Sequence, residues 1–289
     1  MGGGTYCSTT RSVRAESLGY FTKSSTEIFQ QKTVNNAMNP FGVDLRESRD
    51  SAEHPNSLAI VVALDVTGSM GSIPHFLVKD GLPHIMETII DSGIKDPQVL
   101  FLGVGDHECD QAPLQVGQFE SSDELLDKWL TTIFLEGGGG GNNGESYHLA
   151  WYFAGKHTAI DCFEKRKQKG FLFTIGDEPV LSSIPGSSLK GIMGKAQQDN
   201  DNPALALLDK AREKYNVYHI HLKEGSNGNR RDVMDGWKQL MGDNLIIIED
   251  KRSVAEAIAK IVAPHKSPSQ GAYMGGPVKE EAKPAEMML

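Results

Sequence analysis

The sequence predicts a doubly wound α/β fold, in which a mostly parallel sheet carries helices on both faces. Five apolar runs of strand length recur along the chain, and segments with helical periodicity separate them. The first run, LAIVVALDV over 58–66, is apolar almost throughout, which is typical of a strand that is buried on both faces of a parallel sheet. Strands that alternate with helices imply crossover connections, and crossovers imply parallel pairing.

Each element is predicted from its own pattern. The parallel strands are expected at 58–66, 97–105, 169–177, 216–222 and 244–250. The segment 113–121 alternates apolar and polar residues after a short loop, so we expect it to pair as an antiparallel edge strand. The helices are expected at 73–90, 121–134, 144–168, 202–215, 232–241 and 253–263.

The composition changes twice along the chain and so divides it into three parts. Residues 1–56 lack a long apolar run and are expected to form an N-terminal extension with one or two short helices. Residues 57–263 hold all the predicted strands and form the main domain. Residues 264–289 are rich in Pro, Lys, Glu, Ser and Gly, and they are predicted to be a disordered tail.

The composition also excludes several classes of function. No run of about 18 apolar residues is present, so no membrane span is expected. The net charge of −9 argues against nucleic acid as a partner, because phosphate contacts need a basic face. The first residues lack the basic-then-apolar layout of a signal peptide, and the three cysteines are widely spaced. We therefore expect a cytoplasmic protein.

The most unusual stretch is the glycine-rich loop LEGGGGGNNGES over 135–146. Its second half matches a phosphate-binding loop except that Glu145 replaces the essential lysine. A carboxylate at that position repels phosphate, so we reject the nucleotide-binding interpretation. A pliable backbone followed by oxygen-bearing side chains suits a divalent cation instead.

Oxygen-bearing side chains also follow the predicted strands, where ligands gather in open parallel sheets. Asp65, Thr67 and Ser69 follow the first strand in a turn that contains glycine. Asp177 follows the strand at 169–177, and the acidic loop DHECD follows the strand at 97–105. Carboxylates and hydroxyls of this kind are the ligands that Mg²⁺ prefers.

Other polar and aromatic groups are interpreted as structural. The DHECD loop lacks the ligand spacing of a zinc site, so a polar loop beside the site is favoured over a second metal. His219 and His221 alternate within one predicted strand and are interpreted as structural histidines. The aromatic run at 151–153 is expected to lie in the core.

The motif Asp65-x-Thr67-x-Ser69 after a buried strand resembles the D-x-[ST]-x-S signature of the von Willebrand factor A family, whose fold is Rossmann-like. In that family the motif forms a metal-ion-dependent adhesion site. Some members carry a Gly-Asn-rich loop that ends in an acidic residue, as the integrin β-subunit domain does, and the loop before Glu145 is similar. The resemblance covers about residues 57–263.

The resemblance implies a bound Mg²⁺ or Mn²⁺ and a set of ligands. The implied ligands are Asp65, Thr67, Ser69, Glu145 and Asp177, with Asn142 or Asn143 from the glycine-rich loop. Glu145 is also expected in the first turn of a helix, where the helix dipole favours an acid. The threonine that most members place in this loop is absent, so this site is expected to carry more charge of its own.

The resemblance also implies a non-enzymatic function. Cellular members of the family often act as adaptors for an AAA+ ATPase of the MoxR type or as scaffolds of multi-protein assemblies, so a protein partner is expected. The alternative is a metal-dependent hydrolase of phosphate esters, with Asp65 as the phosphoryl acceptor. Thr67 weakens that alternative, because aspartate-based phosphatases carry a second Asp at the corresponding position.

Overall fold

The computed structural model describes residues 4–136, 142, 144–194 and 200–265. The strands are β1 (Arg46–Ser48), β2 (Leu58–Asp65), β3 (Pro97–Val104), β4 (Leu114–Val116), β5 (Thr158–Ile160), β6 (Gly170–Gly176), β7 (Ser183–Ile184), β8 (Asn202–Pro203), β9 (Tyr215–Leu222) and β10 (Leu245–Ile248). The helices are α1 (Ser8–Ser17), α2 (Ser25–Ile28), α3 (Ile73–Phe76), α4 (Leu82–Asp91), α5 (Asp123–Thr132), α6 (Tyr147–Lys156), α7 (Asp161–Glu164), α8 (Gly186–Met193), α9 (Ala204–Lys214), α10 (Arg231–Met241) and α11 (Ser253–Val262).

A six-stranded sheet in the order β10-β9-β6-β2-β3-β4 forms the centre of the molecule. Its first five strands are parallel, and β4 runs antiparallel to β3 at one edge. The predicted α/β class, the parallel strands and the antiparallel edge strand are therefore confirmed. All eight residues of β2 are buried, because neighbouring strands flank it and helices cover both of its faces.

The helices cover the sheet in two layers. On one face, α6 packs against the central strands and against α9, and α10 packs against β9 and β10. On the other face, α4 and α5 pack against β3, and α11 packs against β10 and α4. Nine of the ten residues of α6 are buried, since α6 is enclosed between the sheet and its neighbouring helices. In the described part of the chain, no helix is both long enough and apolar enough to cross a membrane.

The helix predicted over 144–168 is wrong in its length. The structure ends α6 at Lys156, continues with β5, and adds the single-turn helix α7. The Thr158 hydroxyl donates to the Ala154 carbonyl at 2.6 Å, and the segment then pairs in parallel with β1 of the N-terminal extension. This pairing joins residues more than a hundred positions apart, so the local pattern did not reveal it. The short helix α8 was also missed.

The helix predicted over 73–90 is present but interrupted. A π-helical turn, Leu77–Gly81, separates α3 from α4. Pro83 is the second residue of α4, and a proline has no N–H to bond the preceding turn and clashes with its carbonyl. The wider π turn relieves this conflict just before the proline.

The N-terminal extension is folded against the main domain over its described length. The two short helices expected there are α1 and α2, and the buried side chains of Tyr6, Phe29 and Met38 join the common hydrophobic core. The 3₁₀ turn Asn36–Met38 contacts β4 and so covers part of the sheet edge. The tail predicted over 264–289 lies, from residue 266 onward, outside the described residues.

A buried ion pair attaches α1 to the main domain. The Arg11 guanidinium contacts the Asp127 carboxylate of α5 at 3.3 Å, and both side chains are almost completely buried. Arg11 also donates to the carbonyls of Val78 and Lys79 in the π turn. Burial raises the pKa of Asp127, although the nearby charges of Arg11 and Arg14 act in the opposite direction.

Replacing Arg11 by alanine should destabilise the protein by about 3 kcal/mol in urea unfolding, because it leaves a buried carboxylate with one cation fewer. This is the lower end of the range for such pairs, since Arg14 still contacts Asp127 at 3.3 Å. The matched control is Lys210→Ala, which breaks an exposed pair with Glu213. The control should cost less than about 1 kcal/mol. Equal losses in the two variants would contradict the anchoring role of Arg11.

Candidate metal-binding site

Four of the six predicted ligands form a chain of contacts at the carboxyl ends of β2 and β6, made of two hydrogen-bonded pairs whose hydroxyl groups meet. Asp65 is the last residue of β2, and Asp177 directly follows β6. The Thr67 hydroxyl donates to Asp65 Oδ1 at 2.6 Å, and the Ser69 hydroxyl donates to Asp177 Oδ1 at 2.7 Å. The two hydroxyl oxygens lie 3.2 Å apart, and they meet without a hydrogen bond between them because each has given its hydrogen to a carboxylate. Parallel pairing of β2 with β6 places these residues together.

The hydroxyl groups of this chain are suited to bind a cation. A hydroxyl carries one hydrogen and two lone pairs. Because Thr67 and Ser69 give their hydrogens to carboxylates, each oxygen keeps lone pairs for a further contact. Two neutral oxygen ligands between two carboxylates match the preference of Mg²⁺ for oxygen.

Asp65 is completely buried and fully hydrogen-bonded. Its Oδ1 accepts from the Thr67 N–H at 2.9 Å and from the Thr67 hydroxyl, and its Oδ2 accepts from the Tyr147 hydroxyl at 2.8 Å. Burial raises the pKa of Asp65 to about 7, against the lowering effect of these hydrogen bonds. The charge of Asp177 adds to the rise. Both effects make the ionised form of the Asp65 carboxylate costly in the folded protein.

Asp177 is held by a loop that the sequence did not connect to the site. Asn227 lies in the loop that follows β9, and its backbone N–H donates to Asp177 Oδ2 at 2.7 Å. Gly225 of the same loop passes so close that a Cβ there would overlap the Asp177 carboxylate. The next residue, Glu178, accepts from the Asn227 side chain at 2.5 Å. Glycine is thus required at position 225 for the loop to close over Asp177.

Glu145 is buried beside this chain, and its side chain is incompletely bonded. Its backbone joins it to the segment after β6, with hydrogen bonds to Pro179 and Leu181 at 2.8 and 3.0 Å. Its Oε2 is buried and has no hydrogen-bond partner among the described residues. Burial, followed by the charge of Asp65, raises the pKa of Glu145 to about 10. A buried carboxyl oxygen of this kind, close to other carboxyl groups, suits a residue that could bind a cation.

Glu145 and Asn142 of the glycine-rich loop lie in positions that bear on two predictions. Glu145 was expected in the first turn of a helix, and this is wrong: α6 begins at Tyr147, and its first turn contains no acidic residue. Asn142 points to the DHECD loop, where its side chain donates to Glu108 at 2.7 Å. Asn143 and residues 137–141 lie outside the described residues. Which asparagine contributes a ligand stays a prediction.

The DHECD loop lies next to the site and is held by its own hydrogen bonds. Asp110 Oδ2 accepts from the Asp106 N–H at 2.7 Å, and the His107 N–H donates to Ser146 Oγ at 2.9 Å. Asp106 and Asp110 both contribute to the raised pKa of Glu145. In the described ranges, no group of three or more His, Cys, Asp or Glu side chains is placed to hold a metal ion. Asp65, Glu145 and Asp177 therefore do not by themselves form a three-carboxylate metal site, and the candidate site depends on the hydroxyls of Thr67 and Ser69 as well.

The histidines interpreted as structural are core residues. The His219 ring stacks on Trp237 with centroids 3.4 Å apart, and its Nδ1 lies 2.9 Å from the Thr174 hydroxyl. The His221 Nε2 lies 2.8 Å from the Gly228 carbonyl. Burial lowers the pKa of both histidines, so they are neutral. The aromatic run 151–153 is buried in α6, as predicted.

Comparison with known proteins gives only distant similarities. No family model matches the chain, and no curated protein matches it. The pilus adhesin SpaC from Lactobacillus rhamnosus GG, in its open conformation, is similar with a TM-score of 0.48 and 9% identity over 75% of this chain and 31% of the adhesin. Proximal thread matrix protein 1 from the mussel byssus gives 0.47 and 10% over 72% and 47%. The chain spans less than half the length of either protein.

Glu145→Gln should stabilise the protein in the presence of a metal chelator at pH 8. The pKa of Glu145 is raised in the folded protein. Its contribution to the free energy of unfolding is therefore fully present below the ordinary pKa of Glu, near 4.5, and is lost as the pH rises towards about 10. A neutral glutamine avoids this loss. We expect a gain of at least about 1.4 kcal/mol at pH 8, equivalent to one pKa unit, and no gain near pH 4.

The matched control for this prediction is Glu120→Gln, measured by urea unfolding at the same pH values. Glu120 is buried to the same extent as Glu145, and one of its oxygens likewise lacks a partner among the described residues. Its other oxygen accepts a hydrogen bond from the Trp129 indole at 3.2 Å, and it lies opposite Val99 near the start of β3, at the end of the sheet away from Asp65. The control should not gain stability at pH 8. If the Glu145→Gln variant is no more stable than the wild type at pH 8, then ionising Glu145 does not destabilise the folded protein.

Proposed function

We propose that this chain is a Mg²⁺-dependent protein-binding module of the von Willebrand factor A type. The observation that carries the proposal is the chain of contacts that places the hydroxyls of Thr67 and Ser69 between Asp65 and Asp177. The orphaned carboxylate oxygen of Glu145 supports it further. Together these residues supply the oxygen ligands that Mg²⁺ or Mn²⁺ prefers.

The residues of the site have separate tasks in this proposal. All five residues would surround the cation: Thr67, Ser69 and Glu145 through oxygen lone pairs, and Asp65 and Asp177 through carboxylates that also fix the two hydroxyls. When bound, the cation supplies a Lewis-acidic point that an oxygen atom of a partner protein can contact. A cavity of about 430 Å³ is lined by Ser69 and Ser226, so a partner side chain would approach the cation from the side of Ser69.

The partner and the compartment are the finer parts of the proposal. By its resemblance to cellular family members, the module serves a MoxR-type AAA+ ATPase or a multi-protein assembly. This partner is inferred by analogy with other members of the family. We place the protein in the cytoplasm, because Cys7, Cys109 and Cys162 are all free thiols, which suits a reducing compartment.

The second candidate function is metal-dependent hydrolysis of a phosphate ester. One observation favours it: Lys251 lines the cavity beside Ser69, where a cation could meet a phosphate. However, the Lys251 ammonium is paired with Glu224 at 3.4 Å, and Thr67 occupies the position of a second aspartate. A non-enzymatic module is therefore the better account. Mg²⁺-dependent turnover of generic phosphate esters that Asp65→Asn abolishes would favour the hydrolase instead.

Mg²⁺ or Mn²⁺ should raise the melting temperature of the full chain, and Asp65→Asn should abolish the increase. A metal concentration of 100 times the dissociation constant corresponds to about 2.7 kcal/mol of stabilisation. Asparagine retains the size of Asp65 and removes its charge. The measurement is a thermal melt with added metal and with chelator, for each variant.

Asp96→Asn is the control for that measurement. Asp96 is buried at the opposite end of the sheet, just before β3, where it accepts from the Asn56 N–H at 3.0 Å. This variant should keep the full metal-dependent increase. If wild type and Asp65→Asn shift equally, Asp65 does not belong to the metal site.

Partner binding is tested by affinity purification from the source organism. The wild-type chain should retain a protein partner in Mg²⁺ and release it in chelator, and Asp65→Asn should fail to retain it. A partner retained equally by both proteins and in chelator would show that binding does not use the metal site.

A further inference from the structure

The Tyr147 hydroxyl is the one side-chain group outside the motif that contacts Asp65 in the described part of the chain. Tyr147 is the first residue of α6, and it is completely buried. Its hydroxyl donates to Asp65 Oδ2 at 2.8 Å. Neither the motif over 65–69 nor the glycine-rich loop indicated this contact.

The surrounding residues fix Tyr147 in this position. Its ring packs edge-on against Trp237 and His219, with centroids 5.4 and 5.3 Å apart. On the side of the sheet, Gly176 leaves the space that the hydroxyl occupies, since a Cβ at that position would overlap it. A tyrosine hydroxyl keeps its hydrogen at neutral pH, because its ordinary pKa is about 10. Tyr147 is thus a permanent donor in a rigid aromatic setting.

We propose that Tyr147 is a positioning residue of the metal site, and this inference rests on the proposed function. Both oxygens of Asp65 are then fixed: Tyr147 holds Oδ2, and this keeps Oδ1 directed at Thr67. A carboxylate rotates readily about its last side-chain bond, because that torsion is broad. Without the tyrosine donor, Asp65 would be restrained only on the side of Thr67, and the Thr67 hydroxyl would lose its fixed acceptor.

This role predicts an effect on the choice of cation. Mg²⁺ demands near-ideal octahedral geometry with short bonds, whereas Ca²⁺ accepts irregular geometry and longer bonds. A looser Asp65 should therefore weaken Mg²⁺ binding more than Ca²⁺ binding. A merely structural role for Tyr147 would weaken both cations alike or neither.

The test is calorimetric titration of full-length wild type and Tyr147→Phe with MgCl₂ and, separately, with CaCl₂. Phenylalanine keeps the ring and removes only the hydroxyl. We expect Mg²⁺ affinity to fall about 10-fold to 100-fold, the usual loss when a residue that orients a metal ligand is changed. We expect Ca²⁺ affinity to fall by a smaller factor, so that the ratio of the two affinities changes.

The matched control is Tyr215→Phe. Tyr215 is also buried, and its hydroxyl also makes a 2.8 Å hydrogen bond, but to Thr158, the first residue of β5, and not to a candidate ligand. This variant should bind both cations as the wild type does. An unchanged Mg²⁺ affinity in Tyr147→Phe, an unchanged ratio of the two affinities, or an equal loss in Tyr215→Phe would overturn the proposal. Absence of binding by the wild type would overturn the proposed function itself, which is a separate outcome.

Discussion

Buried negative charge at the carboxyl end of β2 is the constraint on which the rest of the site depends. Asp65 and Asp177 are completely buried and Glu145 nearly so, and the charge of Asp65 helps to raise the pKa of Glu145. Isolated carboxylates inside a protein are costly unless they are protonated, paired or bound to a cation. Hydroxyl and amide donors satisfy part of this group, and one oxygen of Glu145 has no partner among the residues that the structure describes. A divalent cation would remove both the repulsion and the missing contact.

The architecture around these carboxylates brings them close together. Parallel pairing aligns the ends of β2 and β6, and every residue of both strands is buried, so the register is strongly fixed. Two glycines then allow close approach: Gly176 admits the Tyr147 hydroxyl, and Gly225 admits the loop that holds Asp177. The N-terminal extension, anchored through Arg11, covers the opposite helical layer and takes no part in the ligand chain.

The fold and the motif residues could be predicted because their signals are local. The apolar run of β2 identifies a buried parallel strand, and polar residues at strand ends identify the edge where ligands gather. The contacts of Tyr147 and Asn227 were not predictable, since they depend on how α6 and the loop after β9 approach the sheet. The pairing of β1 with β5 was missed for the same reason, as it joins two three-residue segments far apart in the chain. Local patterns give elements, and distant contacts need the tertiary structure.

We propose that one cation binds between Thr67, Ser69 and Glu145. Anomalous diffraction from crystals soaked in Mn²⁺ would locate this cation. We expect one strong anomalous peak within bonding distance of the Thr67 and Ser69 hydroxyl oxygens and of the Glu145 carboxylate. One oxygen of Asp106 also lacks a partner in the described part of the chain, so it offers a rival position in the neighbouring loop. A peak at Asp106 with none between Thr67 and Ser69, or no peak at either place, would contradict the account.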